Sequence, residues 1–310
     1  MNAPRHIYWR RRLTALGGLA AVLVVASLLL GNGDDSATQK AASSAQEPAP
    51  PELPRGGTSV LPEHRVVAYY GAPQSRELGA LGIGTPRGAA RRLARQARRY
   101  RRGDRGELPA LELITVIANA DPGDDGMYRA RQSDSVIRRY LRAARRAKAL
   151  LLLDIQPGRS DFFTETTRLE KWLREPDVGL ALDPEWRVAE GQVPGQVIGQ
   201  VSSREVNATS AWLAQLVAEH GLPEKLFVIH QFTDDMVDHT KVKLRDGLDM
   251  VLNVDGFGGR EIKSQKYRRF AKQAPDFHHG FKLFYDEDTD LMSPRQVLRL
   301  RPRPEIVVYE

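Results

Sequence analysis

Eight short apolar runs between Arg65 and the C-terminus, separated by stretches of helical patterning, constrain the fold more than any other feature of this chain. They are Val66–Tyr70, Leu111–Ala118, Ala149–Asp154, Val178–Asp183, Leu226–His230, Met250–Asp255, Phe281–Tyr285 and Ile306–Tyr309. Strand-like runs alternating with helices predict a parallel sheet. Eight strands close a barrel, and residues 65–310 match the roughly 250 residues of a (β/α)8 domain. The expected fold is therefore an α/β TIM barrel. Its eighth helix is missing, because the chain ends on the last strand, and the tether or a neighbouring chain is left to cover that gap. An open doubly wound sheet is the alternative.

Helix starts are marked by Thr85-Pro86, opening an arginine-rich helix to about Tyr100, by Ser133 before Val136–Arg146, and by Ser293-Pro294. Asn207 or Thr209 is expected to cap a helix that Gly221 stops. The fifth unit is weakest, since Asp234–Lys243 has poor helical periodicity.

The fourth run continues into Asp183-Pro-Glu-Trp186. At a period of two, Val178, Leu180 and Leu182 share one face, and Gly179, Ala181, Asp183 and Glu185 the other. A barrel strand with an apolar back and a small-residue front facing a crowded lumen has this pattern. Separated by one residue, the two carboxyls project the same way, roughly 6.6 Å apart along the strand, close enough to tune each other's proton affinity.

Residues 1–12 carry Arg5, Arg10, Arg11 and Arg12 and no acid, and residues 13–30 are an uncharged run of 18 residues. That length suits a membrane-spanning signal anchor. Arginines before it and Asp34-Asp35 after it predict a cytoplasmic N-terminus and an extracytoplasmic remainder, on a single-pass protein of the cell membrane. A cleaved signal peptide is the competing reading, given the small Ala26 and Ser27. Residues 31–64, rich in Ala, Ser, Pro and Gln, read as a tether. Residues 65–310 form the barrel domain.

Absence of cysteine excludes disulfides, thiolate metal sites and thiol nucleophiles. The net charge of +7 lies mostly in the folded part, with nine arginines between Arg87 and Arg105. Such a helix can neutralise phosphates. An external location and the lack of interleaved aromatics argue against nucleic acid, leaving a solvated face or one touching anionic lipid or wall polymers.

In a barrel, the C-terminal ends of the strands collect Tyr70, Asn119, Asp154, Asp183, Glu185, His230 or Gln231, Asp255, Asp286 and Glu310. Carboxylates gathered there signal function, because buried ionised acids are costly without partners. The competing reading has them paired with Arg159, Arg187, Arg260 and Lys282.

Asp183-Pro-Glu185 resembles the Asp-x-Glu signature of two barrel glycoside hydrolase families, the chitinase-like family 18 and the muramidase-like family 25. Val66-Val-Ala-Tyr-Tyr-Gly71 also resembles the opening strand of family 18. The resemblance implies that Glu185 is the catalytic acid. The chain departs from both patterns. Ala181 stands where family 18 has a further aspartate, Leu153-Asp-Ile-Gln156 replaces a Ser-x-Gly-Gly, and the family 25 aspartate on the first strand has no counterpart beside Tyr69 and Tyr70.

A glycosidase needs a protonated carboxyl for the leaving oxygen and a second carboxylate to attack or to activate water. The expected roles are Glu185 as acid with Asp183 holding its proton, Asp255 and Asp154 as second carboxylates, and Asp286 next. Tyr69, Tyr70, Trp186, Phe257 and Tyr285 are candidate sugar-stacking walls, joined in substrate binding by Asn119, Gln231 and Asp286.

The expected partner is a cell-envelope polysaccharide, with no cofactor and no metal. The alternative is a catalytically inactive barrel that binds a glycan or a partner protein. Gly191, Gly195 and Gly199 recur every four residues and suggest a lid or an inert insertion. Gly256-Phe-Gly-Gly-Arg260 could cradle an anion. Asp286-Glu-Asp-Thr-Asp290 alternates like a calcium loop but lacks its central glycine and final acid. His278-His279 precede the seventh strand, at the end of the barrel away from catalysis.

Overall fold

A computed structural model describes residues 51–103 and 105–310. The proposed basic segment and apolar run, residues 1–30, lie outside the described residues, as does most of the tether. No helix among the described residues is long and apolar enough to cross a membrane.

In chain order the elements are β1 (His64–Gly71), α1 (Pro86–Arg98), β2 (Gly106–Ala118), β3 (Arg129–Arg131), α2 (Asp134–Arg146), β4 (Leu150–Ile155), α3 (Phe162–Thr167), α4 (Glu170–Leu173) and β5 (Val178–Leu182). There follow α5 (Ser203–Glu219), β6 (Lys225–Gln231), β7 (Leu248–Val254), α6 (Arg260–Gln273), β8 (His278–Leu283), α7 (Pro294–Val297) and β9 (Ile306–Tyr309). Pairing runs β1-β9-β8-β7-β6-β5-β4-β2 and returns to β1, with every contact in this ring parallel. The result is a closed eight-stranded TIM barrel, and an open sheet is excluded. The short β3 adds to the edge of β2 antiparallel, outside the ring.

Alternation along the strands sorts side chains into two layers. Val67, Leu111, Leu153, Leu180, Leu182, Ile229, Leu252, Leu283 and Val307 belong to the layer between barrel and helices. Val66, Ala68, Tyr70, Leu108, Leu150, Leu152, Ala181, Val228 and Ile306 belong to the lumen. The apolar back and small front expected of Val178–Leu182 are both present. A Cβ on Gly179 would stand 2.7 Å from Leu152 Cδ2 and 2.9 Å from the Leu226 carbonyl, so β5 needs glycine there.

The helices follow their start signals where a cap fits. Thr85 accepts from the Gly88 amide and precedes Pro86 at the first turn of α1, and Ser293 with Gln296 forms a capping box on α7. The cap of α5 falls elsewhere than expected. Ser202 accepts from the Glu205 amide, and the helix starts at Ser203. Asn207 instead bonds Lys241 and Lys243 of the next loop, while Thr209 bonds back to the Glu205 carbonyl within the helix. No α-helix lies between β6 and β7, where a single 3-10 turn (His239–Lys241) fits the weak periodicity. Part of the stretch read as tether is packed: Leu53, Val60 and Leu61 are buried with the lumen residues, and Leu61 donates its amide to Asp249.

Candidate functional site

The C-terminal half of the lumen is polar and buried. Tyr70 of β1, Glu112 of β2, Asp154 of β4, His230 of β6, Asn253 of β7 and Lys282 of β8 are each at most 1% exposed. Adjacent registers bring them together: Tyr70 pairs with Glu112, Asp154 with Ala181, and His230 with Asn253. Small residues make the room. A Cβ on Gly280 would stand 2.4 Å from Asn253 Oδ1.

His230 is the hub. Its Nε2 lies 2.9 Å from Glu112 Oε1 and 3.8 Å from Asp154 Oδ2, and its Nδ1 lies 3.1 Å from Asp255 Oδ2. Burial and Lys282 both act to lower its pKa. The hydrogen bonds to Asp255 and Glu112 outweigh them and hold the imidazole well above its ordinary value, as a cation. Lys282 Nζ reaches Asp255 at 2.9 Å and Glu310 at 2.8 Å, and sits 3.8 Å over the Tyr70 ring.

A second group meets at the Tyr70 hydroxyl. It lies 3.4 Å from Asp154 Oδ1 and 3.2 Å from Asp183 Oδ2, and it accepts from Gln156 Nε2 at 2.8 Å. Burial, and next the charge of Asp183, push the Asp154 carboxyl well above the ordinary carboxylate range. Asp154 on β4 and Asp183 just past the end of β5 are thus a carboxyl pair joined through one hydroxyl.

Beyond Leu182 the chain does not stay extended, contrary to the expected projection of Asp183 and Glu185. It turns into a 3-10 segment (Pro184–Trp186), for which proline is suited because its φ is fixed and it has no amide to satisfy. The Gly199 amide donates to the Glu185 carbonyl at 2.7 Å, and a Cβ on Gly199 would fall 2.6 Å from that oxygen. The glycine-repeat segment therefore clamps the turn carrying Glu185, which is 1% exposed. Trp186 packs with Ala118, Ile198, Phe232 and Phe257 over the mouth. Beside this cluster is a narrow cleft bordered by Tyr70, Gln156, Trp186 and Glu310.

Several expected residues stand elsewhere. Asp286 has a side chain 76% exposed, 3.9 Å from Arg76, outside the lumen. Tyr69 points to the outer layer, as period-two alternation with Tyr70 requires, and packs with Tyr285 and Tyr309. Tyr285 stacks on Tyr309 at 5.1 Å. Asn119 belongs to a turn, accepting from the Asp121 amide, and buried Gln231 donates to the Thr233 and Val237 carbonyls. Asp255 is held by His230 and Lys282, which leaves it a poor second carboxylate. Asp288 is bound to Lys263 at 2.7 Å and to the Gly258 and Phe284 amides, so neither the calcium-like run nor the glycine-rich turn is open to an ion there.

Of the cations weighed as partners for the rim, Arg187 pairs with Glu205 and Arg260 with Asp290, Arg159 bonds the Gln192 carbonyl, and Lys282 alone of the four joins the lumen acids. Glu112 and Asn253 went unnoticed in the sequence. Glu112 left one signal, a lone acid within the apolar run Leu111–Ala118.

The sequence matches no protein-family model, and no curated protein matches it. Among solved structures, the wild-type sialic acid aldolase of Ruminococcus gnavus is similar at 12% identity and a TM-score of 0.37, over 80% of this chain and 68% of that one.

Proposed function

We propose that this chain is a carbohydrate-active barrel of the cell surface that hydrolyses a glycosidic bond in an envelope polysaccharide, with Glu185 as general acid. The observation that carries this reading is the placement of Asp154. Ala181 stands where family 18 has a further aspartate, and Asp154 is the register partner of Ala181 on the adjacent strand, linked to Asp183 through Tyr70. The carboxyl missing from one strand is supplied by its neighbour. With Asp154 protonated, Asp183 can keep its charge, and a charged Asp183 near Glu185 favours the proton that Glu185 must donate. In the reaction that proton passes to the glycosidic oxygen and the bond from the anomeric carbon breaks; water then adds to that carbon and returns its proton to the Glu185 carboxylate.

Access requires motion in this reading. The segment around Gly199 lifts from the Asp183–Trp186 turn, opening Glu185 and exposing Trp186 as a stacking surface for a sugar ring. Residues 13–30 would hold the barrel against the membrane, within reach of wall polymers.

A second reading draws on the closed mouth and the depth of Glu185: the barrel binds glycan or a partner protein without turnover. Purified protein with intact wall polysaccharide separates the two. Release of reducing ends that disappears in Glu185→Gln supports hydrolysis. No release, or equal release by the variant, excludes it, and co-sedimentation with the polymer without release supports binding alone.

A further inference from the structure

Among the described residues of the upper lumen, Glu112, Asp154, Asp183, Asp255 and Glu310 gather around His230 and Lys282, five carboxyls beside two cations. A protein interior tolerates such an excess only by keeping protons or by taking up a cation. The carboxyl oxygens Glu112 Oε2 and Asp154 Oδ2 are fully buried and accept no hydrogen bond. Buried carboxyl oxygens ordinarily have donors, so a pair of unserved ones flanking one imidazole calls for an explanation.

We infer that Glu112, Asp154 and His230 form a binding site for a divalent transition-metal ion of the zinc or manganese type. One ligand atom from each residue lies within 4.8 Å of the other two. Ligands about 2.0–2.2 Å from a tetrahedral ion stand roughly 3.3–3.6 Å apart. The 2.9 Å and 3.8 Å separations from His230 Nε2 to Glu112 and Asp154 bracket that spacing, so small side-chain adjustments suffice.

The surroundings also suit a metal ligand. Imidazoles that bind metals usually donate their second N–H to a carboxylate, which fixes the tautomer and strengthens the ligating nitrogen. Asp255 stands 3.1 Å from Nδ1 in that role and is itself anchored by Lys282. A nitrogen ligand with two carboxylates favours zinc or manganese over calcium, which takes six to eight oxygens. Binding exchanges charge for charge: the protons on Nε2 and on Asp154 leave to solvent as the ion enters. The site needs no substrate, but an ion there takes the Asp154 proton that the hydrolase reading uses, so the proposed cleavage belongs to the metal-free barrel.

The test is calorimetric titration of chelator-treated protein with Zn²⁺ and Mn²⁺ at pH 7, in two buffers of different ionisation heat. One equivalent is expected, with net proton release, and at least tenfold weaker binding in Glu112→Gln and His230→Gln. Because both variants alter buried groups, X-ray absorption of the zinc-loaded native protein provides a check that needs no variant. It should show one imidazole with oxygen ligands. Absence of stoichiometric binding, undiminished affinity in both folded variants, or a first shell with no imidazole or several would overturn the site. Loss of glycan cleavage alone would leave it standing, and metal binding without cleavage would leave the hydrolase reading to its own test.

Discussion

Toward the N-terminal ends of the strands the lumen is filled by Val66, Leu108, Leu150, Leu226 and Ile306, with Leu53, Val60 and Leu61 in the same apolar cluster. A few residues further along the same strands it is filled by Tyr70, Glu112, Asp154, His230 and Lys282. Backbone, alternation and closure are shared, so the contrast lies in side chains alone. Apolar burial in the lower half stabilises the barrel by about 25 cal/mol per Å² removed from water. In the upper half each charge costs desolvation that only its partners offset. Apolar packing and buried charge are thus divided along one axis of the barrel.

Breaking the pairing in the upper half should have the largest effect. Lys282→Met takes the ammonium from Glu310 and from Asp255, which keeps only His230 of its two cations, and urea unfolding should report a loss of about 3–5 kcal/mol. A loss under about 1 kcal/mol would mean that those acids are already neutral.

The lower half should respond differently. Leu152→Ala opens an apolar cavity and should cost about 3 kcal/mol, by an amount that does not change between pH 5 and pH 8. A strong pH dependence in that variant would show that the halves are coupled.

Asp249 sharpens the division, because it is an acid at the lower end. Burial, and then Glu224, raise its pKa to about 7 from an ordinary 3.8. Between those values the folded chain keeps a proton that the unfolded chain has lost, so this residue makes stability fall as pH rises from 3.8 to about 7. Asp249→Asn should reduce the difference in unfolding free energy between pH 4 and pH 7.5 by about 2 kcal/mol, discounted for partial exposure. An unchanged pH profile would rule that contribution out.

The smallest effect belongs to the rim. Asp286→Asn touches an exposed pair with Arg76 and should shift stability by less than about 0.5 kcal/mol and leave glycan binding and cleavage unchanged. Loss of either would place Asp286 back in the site.

Most of the scaffold was legible because barrel strands advertise themselves. Val178–Leu182 alternates as it packs, and Thr85-Pro86 caps as it reads. The site was half legible. Asp154, Asp183 and His230 sit at or near strand ends, where a topological guess already looks. Lys282 is already legible as a partner of the rim acids, whereas Glu112 lies within a strand, and a lone charge in an apolar run carries no mark of which distant residue meets it. Asp286 failed for a converse reason: β8 ends at Leu283, so a residue three further on has left the lumen. Ser202 was passed over beside the more central Asn207, whose side chain serves a different loop. Leu53, Val60 and Leu61 were hidden by the prolines and glycines among them, since isolated apolar residues have no period to detect.

The central claim is that burial, and next Asp183, raise the proton affinity of the Asp154 carboxyl. Carboxyl-carbon NMR of the metal-free protein, with aspartate labelled and Asp154 assigned through Asp154→Asn, tests it directly. The account predicts a protonated shift at pH 7, and a midpoint that moves down in Asp183→Asn. A carboxyl already ionised below pH 4.5, or a midpoint indifferent to residue 183, would contradict it.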